Sequence, residues 1–319
     1  MIVLVFTGGT ISMRYDSAAG GAIPALAGKD IMELVPQLNE IADLEVDEFG
    51  GYPGPHMTVD RMWELRERVE RHIARPDVEG VVVTHGTDSL EESAYLVARS
   101  LASQKPIVFT GAMRTSSALG WDGPANLGAA VRVAASDEAK GFGVLVVMCD
   151  RVYTGLDVTK AHTHMLDSFE SPGLGPLGLV DDGRVIFRRA IPSAAGTVDA
   201  PRLGGPVDIV YAYAGADSRL LDAARKDAAG LVIAAMGRGN VPPAMVPGIE
   251  RWLQEGKPVV AASRALRGRV GPTYGYAGGG RRLHDMGVIL AGSRRPQQAR
   301  IDLMLALGAG IEARELFDR

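Results

Sequence analysis

The chain has 319 residues, 46% of them hydrophobic and 23% charged, with a net charge of −4 and an isoelectric point near 5.9. The balance is ordinary for a globular protein, and its acidity leaves no footprint for nucleic acid or an anionic membrane surface, so neither is expected as a partner. A single cysteine, Cys149, excludes an internal disulfide and a thiolate metal cluster.

Along the chain, short apolar runs alternate with helix-like segments. Residues 1–6 (MIVLVF) read as a strand. This opening apolar stretch is too short for a signal-peptide core, and no run approaches the roughly 20 residues of a membrane span, so the chain reads as cytoplasmic. The strand stops at Thr7-Gly8-Gly9-Thr10, and Met13 to Gly28, rich in small residues, reads as a mobile loop. From Thr58 onward, Met62, Leu65, Val69 and Ile73 recur at helical spacing with Arg and Glu on the other face, the pattern of an amphipathic helix over a sheet. Residues 80–86, 106–112 and 143–148 are apolar without alternation, as suits strands covered on both faces of a parallel sheet. Ser89 and Glu92 stand in capping-box relation, which starts a helix just after THGTD. This is βαβ ordering, whose right-handed crossovers would line the helix N-termini along one sheet edge. Cys149 follows the apolar Val144–Met148 run and reads as a buried structural thiol.

Residues 171–206 change character. SPGLGPLG is turn-rich, DDGRVIF reads as a hairpin arm, and IPSAAGTVDAPRLGGP reads as a linker. The βα alternation then resumes with 208–214, 231–236, 258–263 and 287–292, and QARIDLMLALG forms a last helix. The expected division is an N-terminal α/β domain over 1–189, a linker over 190–206 and a C-terminal α/β domain over 207–319.

In an open α/β sheet, ligands bind outside the carboxyl ends of the strands. Two hydroxyl-rich turns fall there, TGGT (7–10) and THGTD (84–88). Their glycines let backbone N–H groups approach a ligand and face a developing oxyanion. Thr10 and Thr87 present hydroxyls, with the Asp88 carboxylate alongside. The Walker lysine and the dinucleotide glycine spacing are both absent, which disfavours a phosphate cradle. A hydroxyl nucleophile needs activation, and Lys160, flanked by apolar residues in GLDVTKAHTHM, offers an amine.

TGGTIS, THGTDSLEE, FTGAMR, DVTK followed by GPLG, GRGN (237–240) and PQQARIDLMLAL occur in that order and at a spacing that resembles the bacterial-type L-asparaginase family over nearly the whole chain. The resemblance implies two α/β domains, a larger N-terminal one with a mostly parallel sheet flanked by helices and a smaller C-terminal parallel-sheet domain. It implies an amidohydrolase that releases ammonia from asparagine, sometimes glutamine, through an acyl-threonine. It also implies a homodimer or homotetramer with active sites completed at subunit interfaces, and no metal or cofactor. By the same resemblance Thr10 is the nucleophile. Thr87 and Lys160, held near neutral by burial, share a proton, and Asp88 orients Lys160 and binds the substrate ammonium. Gly86 lends backbone, while Ala112 in TGAM and Asn240 in GRGN match pocket positions.

Three departures concern the substrate. Where the family carries a loop tyrosine this chain has Ala22 in GAIP, and Tyr15 stands in as the candidate catalytic tyrosine. The Ser-x-Asp-Met motif that grips the α-carboxylate reads Gly54-Pro55-His56-Met57, leaving Gly54, Pro55 and His56 as the binding candidates. The glutamate that some members lend from a neighbouring subunit is absent from YAGGGRRL (276–283). A different small carboxamide, such as L-glutamine, and a non-catalytic ligand sensor remain as alternatives. Of the histidines, His162 and His164 read as loop residues rather than a metal pair, His85 as structural and His72 as solvated. RALRGR (264–269) and Arg281-Arg282 read as solvated faces or subunit contacts.

Overall fold

Seven consecutive buried residues, Ile2–Gly8, form β1 at the heart of the larger sheet. The computed structural model describes residues 1–190 and 196–317, and the chain falls into two units, Met1–Thr197 and Val198–Arg319. Residues 191–195 of the expected linker lie outside the described residues.

In the first unit β1 is followed by β2 (Met13–Asp16), β3 (Gly21–Pro24), α1 (Gly28–Leu34), β4 (Leu44–Tyr52) and α2 (Val59–Ile73). Then come β5 (Gly80–Thr84), α3 (Leu90–Ser100), β6 (Ile107–Thr110), α4 (Gly123–Ala135), β7 (Val144–Met148) and β8 (Arg151–Thr154). The short strands β9 (Thr159–Lys160) and β10 (Phe169–Glu170) pair with each other, and β11 (Gly178–Asp181) and β12 (Arg184–Phe187) close the unit. The main sheet has the order β12-β11-β8-β7-β6-β5-β1-β4. Its β4-β1-β5-β6-β7 part is parallel, and β8, β11 and β12 add an antiparallel edge.

Alternate residues of the central strands feed two cores. Ile2, Leu4, Phe6, Val82, Val108 and Leu145 pack with α1 and α4. Val3, Val5, Val81, Val83, Phe109 and Val146 pack with α2 and α3. This burial on both faces explains the unbroken apolar runs. It also fixes the crossovers: α3 and α4 both link a strand to its next neighbour in the same direction, yet they lie on opposite faces. The connections through α1, α2 and α3 share one hand, and the one through α4 has the other. Since right-handed connection is the rule, β6–α4–β7 is the left-handed exception to the uniform expectation. Helix α4 (GPANLGAAVRVAA) is buried nearly all round, so it carries no amphipathic signature in sequence.

Met13 to Gly28, expected as a loop, folds into a β2–β3 hairpin in which Tyr15 pairs with Ala22. The hairpin hangs on Ser12 O, which accepts from Ala25 and Leu26 N, and on Ser116 and Ser117. The expected arm at DDGRVIF is the β11–β12 hairpin.

The second unit contains β13 (Val207–Tyr211), α5 (Arg219–Arg225), β14 (Gly230–Ala235), α6 (Val246–Gln254) and β15 (Val259–Ser263). After these come α7 (Gly280–Asp285), β16 (Ile289–Leu290), α8 (Pro296–Ala309) and α9 (Ala313–Phe317). Its four strands are parallel in the order β13-β14-β15-β16, around a core that includes Leu231, Ile233, Ile249 and Trp252. The wholly buried Asp302 on α8 pairs with Arg294 Nε at 2.7 Å.

Cys149 is exposed, contrary to the buried thiol expected. Its apolar neighbours belong to β7, but Cys149 and Asp150 form the two-residue turn into β8, with φ of 50° and 57°. The β11–β12 turn meets the same demand with Asp182-Gly183, the pairing such turns favour. Changing Cys149-Asp150 to Asn-Gly should therefore raise stability by about 1 kcal/mol, measured as the shift in urea midpoint at unchanged slope.

Candidate active site

The carboxyl ends of β1, β4, β5 and β6 lie side by side, and each continues into a glycine-bearing loop. Gly8 and Gly9 have φ of 101° and 82°, a region that other residues rarely enter. Space alone would demand them too. A Cβ on Gly9 would lie 2.6 Å from the Cα and N of Gly86, and one on Gly86 would lie 2.5 Å from Gly54 Cα. A Cβ on Gly111 would lie 2.6 Å from His85 O. Four loops thus touch through bare backbone. Gly9 N also donates to Tyr52 O at 2.9 Å, which ties the first loop to the end of β4.

Thr10 follows Gly9 and opens a single 3-10 turn, Thr10–Ser12, half-buried. Thr87 follows Gly86 and is buried. Each threonine is therefore one residue from the same backbone contact. Ala112, wholly buried, follows Gly111, whose added Cβ would lie 3.3 Å from Thr87 Cγ2. Gly54 presses against Asp88: a Cβ there would sit 3.2 Å from Asp88 Cβ. A side chain at position 54 would have to push that carboxylate-bearing loop away.

Lys160 comes from β9, 72 residues beyond Asp88 in sequence. Its Nζ donates to Thr87 Oγ1 at 2.9 Å and to Asp88 Oδ1 at 2.6 Å. The lysine side chain is 16% exposed and the aspartate 60%, so the amine meets a carboxylate rather than the apolar surroundings that the flanking sequence suggested. Of the predicted residues, Thr87, Asp88 and Lys160 are joined by hydrogen bonds, and Thr10, Gly54, Gly86 and Ala112 by contact of their loops.

The others stand apart from this network. Pro55 and His56 are exposed in the turn after Gly54, and the His56 carbonyl accepts from Arg61. Tyr15 is 62% exposed and, among the described residues, makes no hydrogen bond to Thr10, Thr87, Asp88 or Lys160. Directly opposed residues of a hairpin share a face, so its ring lies on the same side as Ala22. Asn240 belongs to the second unit, where its Oδ1 accepts from Gly280 N at 3.1 Å. His162 spends Nδ1 on the amides of His164 and Met165. Among the described residues no group of three or more His, Cys, Asp or Glu side chains is arranged to hold a metal.

Residues 1–193 match the family described as Asparaginase, N-terminal, and residues 206–317 match the Glutaminase/Asparaginase C-terminal domain. The chain belongs to the asparaginase family. It is 34% identical to an L-asparaginase of Bacillus licheniformis, covering 97% of this chain and 95% of that one. It is 36% identical to a probable L-asparaginase of Deinococcus radiodurans, covering 99% and 95%. A crystal structure of a probable cytoplasmic L-asparaginase from Campylobacter jejuni superposes with a TM-score of 0.90 at 32% identity, over 99% of this chain and 98% of that one.

The candidate site also rests on residues that sequence reasoning passed over. Asp122 accepts the amides of Met113 and Arg114 at 2.9–3.2 Å, and Asn126 Nδ2 donates to Gly111 O at 3.0 Å while its Oδ1 accepts from Cys149 N at 2.9 Å. These bonds hold the loop bearing Ala112. The Asp-Gly-Pro that opens α4 was the available signal. Ser89 starts α3 as expected, but its hydroxyl donates to Gly54 O at 2.7 Å instead of capping the helix. His72, expected to be solvated, is mostly buried with Nε2 2.6 Å from Asp47, which also takes a two-pronged bond from Arg68. The periodic pattern showed the helix face but not the edge strand β4 that it meets.

His85 is fully buried, with Nδ1 2.9 Å from Gly86 O. Burial pushes its imidazole down from 6.5 to about 4, against the opposing effect of that bond. Between those values the unfolded chain takes up a proton that the native state refuses, so stability falls as pH drops through the window, by about 3 kcal/mol at pH 4. In urea unfolding at pH 7 and pH 4, His85→Gln should lose about 3 kcal/mol less than the parent.

Proposed function

We propose that this chain hydrolyses L-asparagine to L-aspartate and ammonia through an ester on Thr10. The observation that carries the reading is the bridge from Lys160 Nζ to both Thr87 Oγ1 and Asp88 Oδ1, beside the loop that ends in Thr10. The Thr10 hydroxyl attacks the carboxamide carbon, and the carbonyl oxygen takes the negative charge facing the backbone N–H groups of the glycine loops. Collapse expels the nitrogen as ammonia once it has gained a proton, and water then attacks the ester to release aspartate and free Thr10. Thr87, hydrogen-bonded to Lys160, gives the proton path between hydroxyl and amine. The Asp88 carboxylate holds Lys160 and, being well exposed, is left to accept from the ammonium group of the substrate.

One observation favours a second reading, a related small carboxamide such as L-glutamine. Gly54, where the family carries a serine, lies against Asp88, so the hydroxyl for the α-carboxylate has no counterpart in this loop. His56 and Pro55 rim that position, and Tyr15 takes the part of the loop tyrosine. The protein assembles as a homodimer or homotetramer; Tyr211, Tyr213, Tyr274 and Tyr276, all exposed in the second unit, supply apolar surface for such an assembly. A cytoplasmic location accords with the likeness to the probable cytoplasmic L-asparaginase of Campylobacter jejuni, and no described helix is long and apolar enough to cross a membrane.

Coupled ammonia release across L-asparagine, L-glutamine and related amides tests the reading. Thr10→Ala should lower kcat on the preferred amide by more than about a thousandfold, and Lys160→Met by about a hundredfold or more, with both variants folded. Ammonia release by Thr10→Ala at the parental rate would remove the nucleophile from the account.

A further inference from the structure

Lys160 sits on a strand of two residues, outside the main sheet and paired with the equally short β10. Yet its amine must be held at two hydrogen-bond distances from a loop that belongs to β5 and α3. One carboxylate oxygen makes that link. Glu91 Oε2 accepts from the Thr159 hydroxyl at 2.5 Å and from the Lys160 backbone N–H at 2.6 Å. Glu91 is the second residue of α3, whose chain arrives directly from Thr87, Asp88 and Ser89. The groups that must meet are thus fastened to a single helix start: Thr87 and Asp88 through the backbone, Lys160 through Glu91, and Gly54 through Ser89 Oγ.

We infer that Glu91 is a positioning residue for the reaction, setting the reach of Lys160 through two short bonds to the lysine strand. The inference rests on the proposed Thr87–Lys160–Asp88 proton path. Glu91 acts on the backbone of Lys160 and on its neighbour Thr159, so its loss shifts the amine along the Thr87–Asp88 loop. The site of the substrate stays as it was. The effect therefore falls on turnover more than on binding, because a displacement of about 1 Å costs up to roughly a hundredfold in rate.

The test compares the parent with Glu91→Leu, Glu91→Gln, Thr159→Val and Thr10→Ala, reading kcat and KM for ammonia release together with melting temperature. Glu91→Leu should lower kcat about tenfold to a hundredfold with KM within about threefold. Glu91→Gln keeps an oxygen that accepts the same two bonds and should restore kcat to within about fivefold of the parent. Thr159→Val removes one donor and should cost about threefold in kcat. Parental kcat in Glu91→Leu, or a glutamine variant as damaged as the leucine one, would overturn the inference. Should Glu91→Leu fail to fold, Thr159→Val decides: a lower kcat at constant KM supports the assignment and an unchanged kcat refutes it. Thr10→Ala separates the two levels. If it is inactive while the Glu91 variants are parental, only the role of Glu91 falls; if it is active, the amide-hydrolase reading falls with it.

Discussion

Backbone contact between Gly9, Gly86 and Gly54 is the constraint on which the rest of this site depends. Parallel strands bring their carboxyl ends to one edge, but strand spacing alone leaves the loops beyond them about 4.8 Å apart and free to splay. Here the loops after β1, β5 and β4 close until no side chain fits between them. The two threonines that follow Gly9 and Gly86 are drawn to the same point. The paired glycines of TGGT are thereby explained: Gly8 and Gly9 both need left-handed backbone, and Gly9 must also lie flat on Gly86.

Around that contact, hydrogen bonds hold what the sheet does not. Asp122 and Asn126 fix the loop bearing Ala112, Ser89 ties α3 to Gly54, and Glu91 ties α3 to the lysine strand. The Lys160–Asp88 pair belongs to this placement rather than to stability, since so exposed an aspartate gives an ion pair worth roughly 0–1 kcal/mol. The buried Asp302–Arg294 pair of the second unit is a different case, because there neither charge can be left alone without a large desolvation penalty.

Much of the fold was legible where burial makes a simple pattern. Strands β1, β5, β6 and β7 announced themselves as apolar runs, and α2 as an amphipathic helix. Helix α4 did not, because it is buried on nearly every side and its glycines and alanines carry no period. Strand β4 was missed because LEVDEFGGY lies at a sheet edge and mixes charges that pair with Arg68, His72 and Arg75. Cys149 misled because strand composition gives no warning of a two-residue turn. Of the candidate site, Thr10, Thr87 and Asp88 were suggested by glycine turns at strand ends, whereas Lys160 carried weight only through family resemblance. Glu91 and Asn126 act on backbone atoms, which leave no residue-type signature at the positions they hold, and Asp122 was marked only by the Asp-Gly-Pro that opens α4.

We propose above all that the hydroxyl beyond the first glycine pair is the group that attacks. Acid quench of the enzyme during turnover of L-asparagine, followed by mass spectrometry of the peptide Met1–Arg14, tests it most directly. An aspartyl ester on Thr10 is expected, appearing before free aspartate and decaying as aspartate accumulates. An acyl group on another residue, or turnover throughout which that peptide stays unmodified, would contradict it.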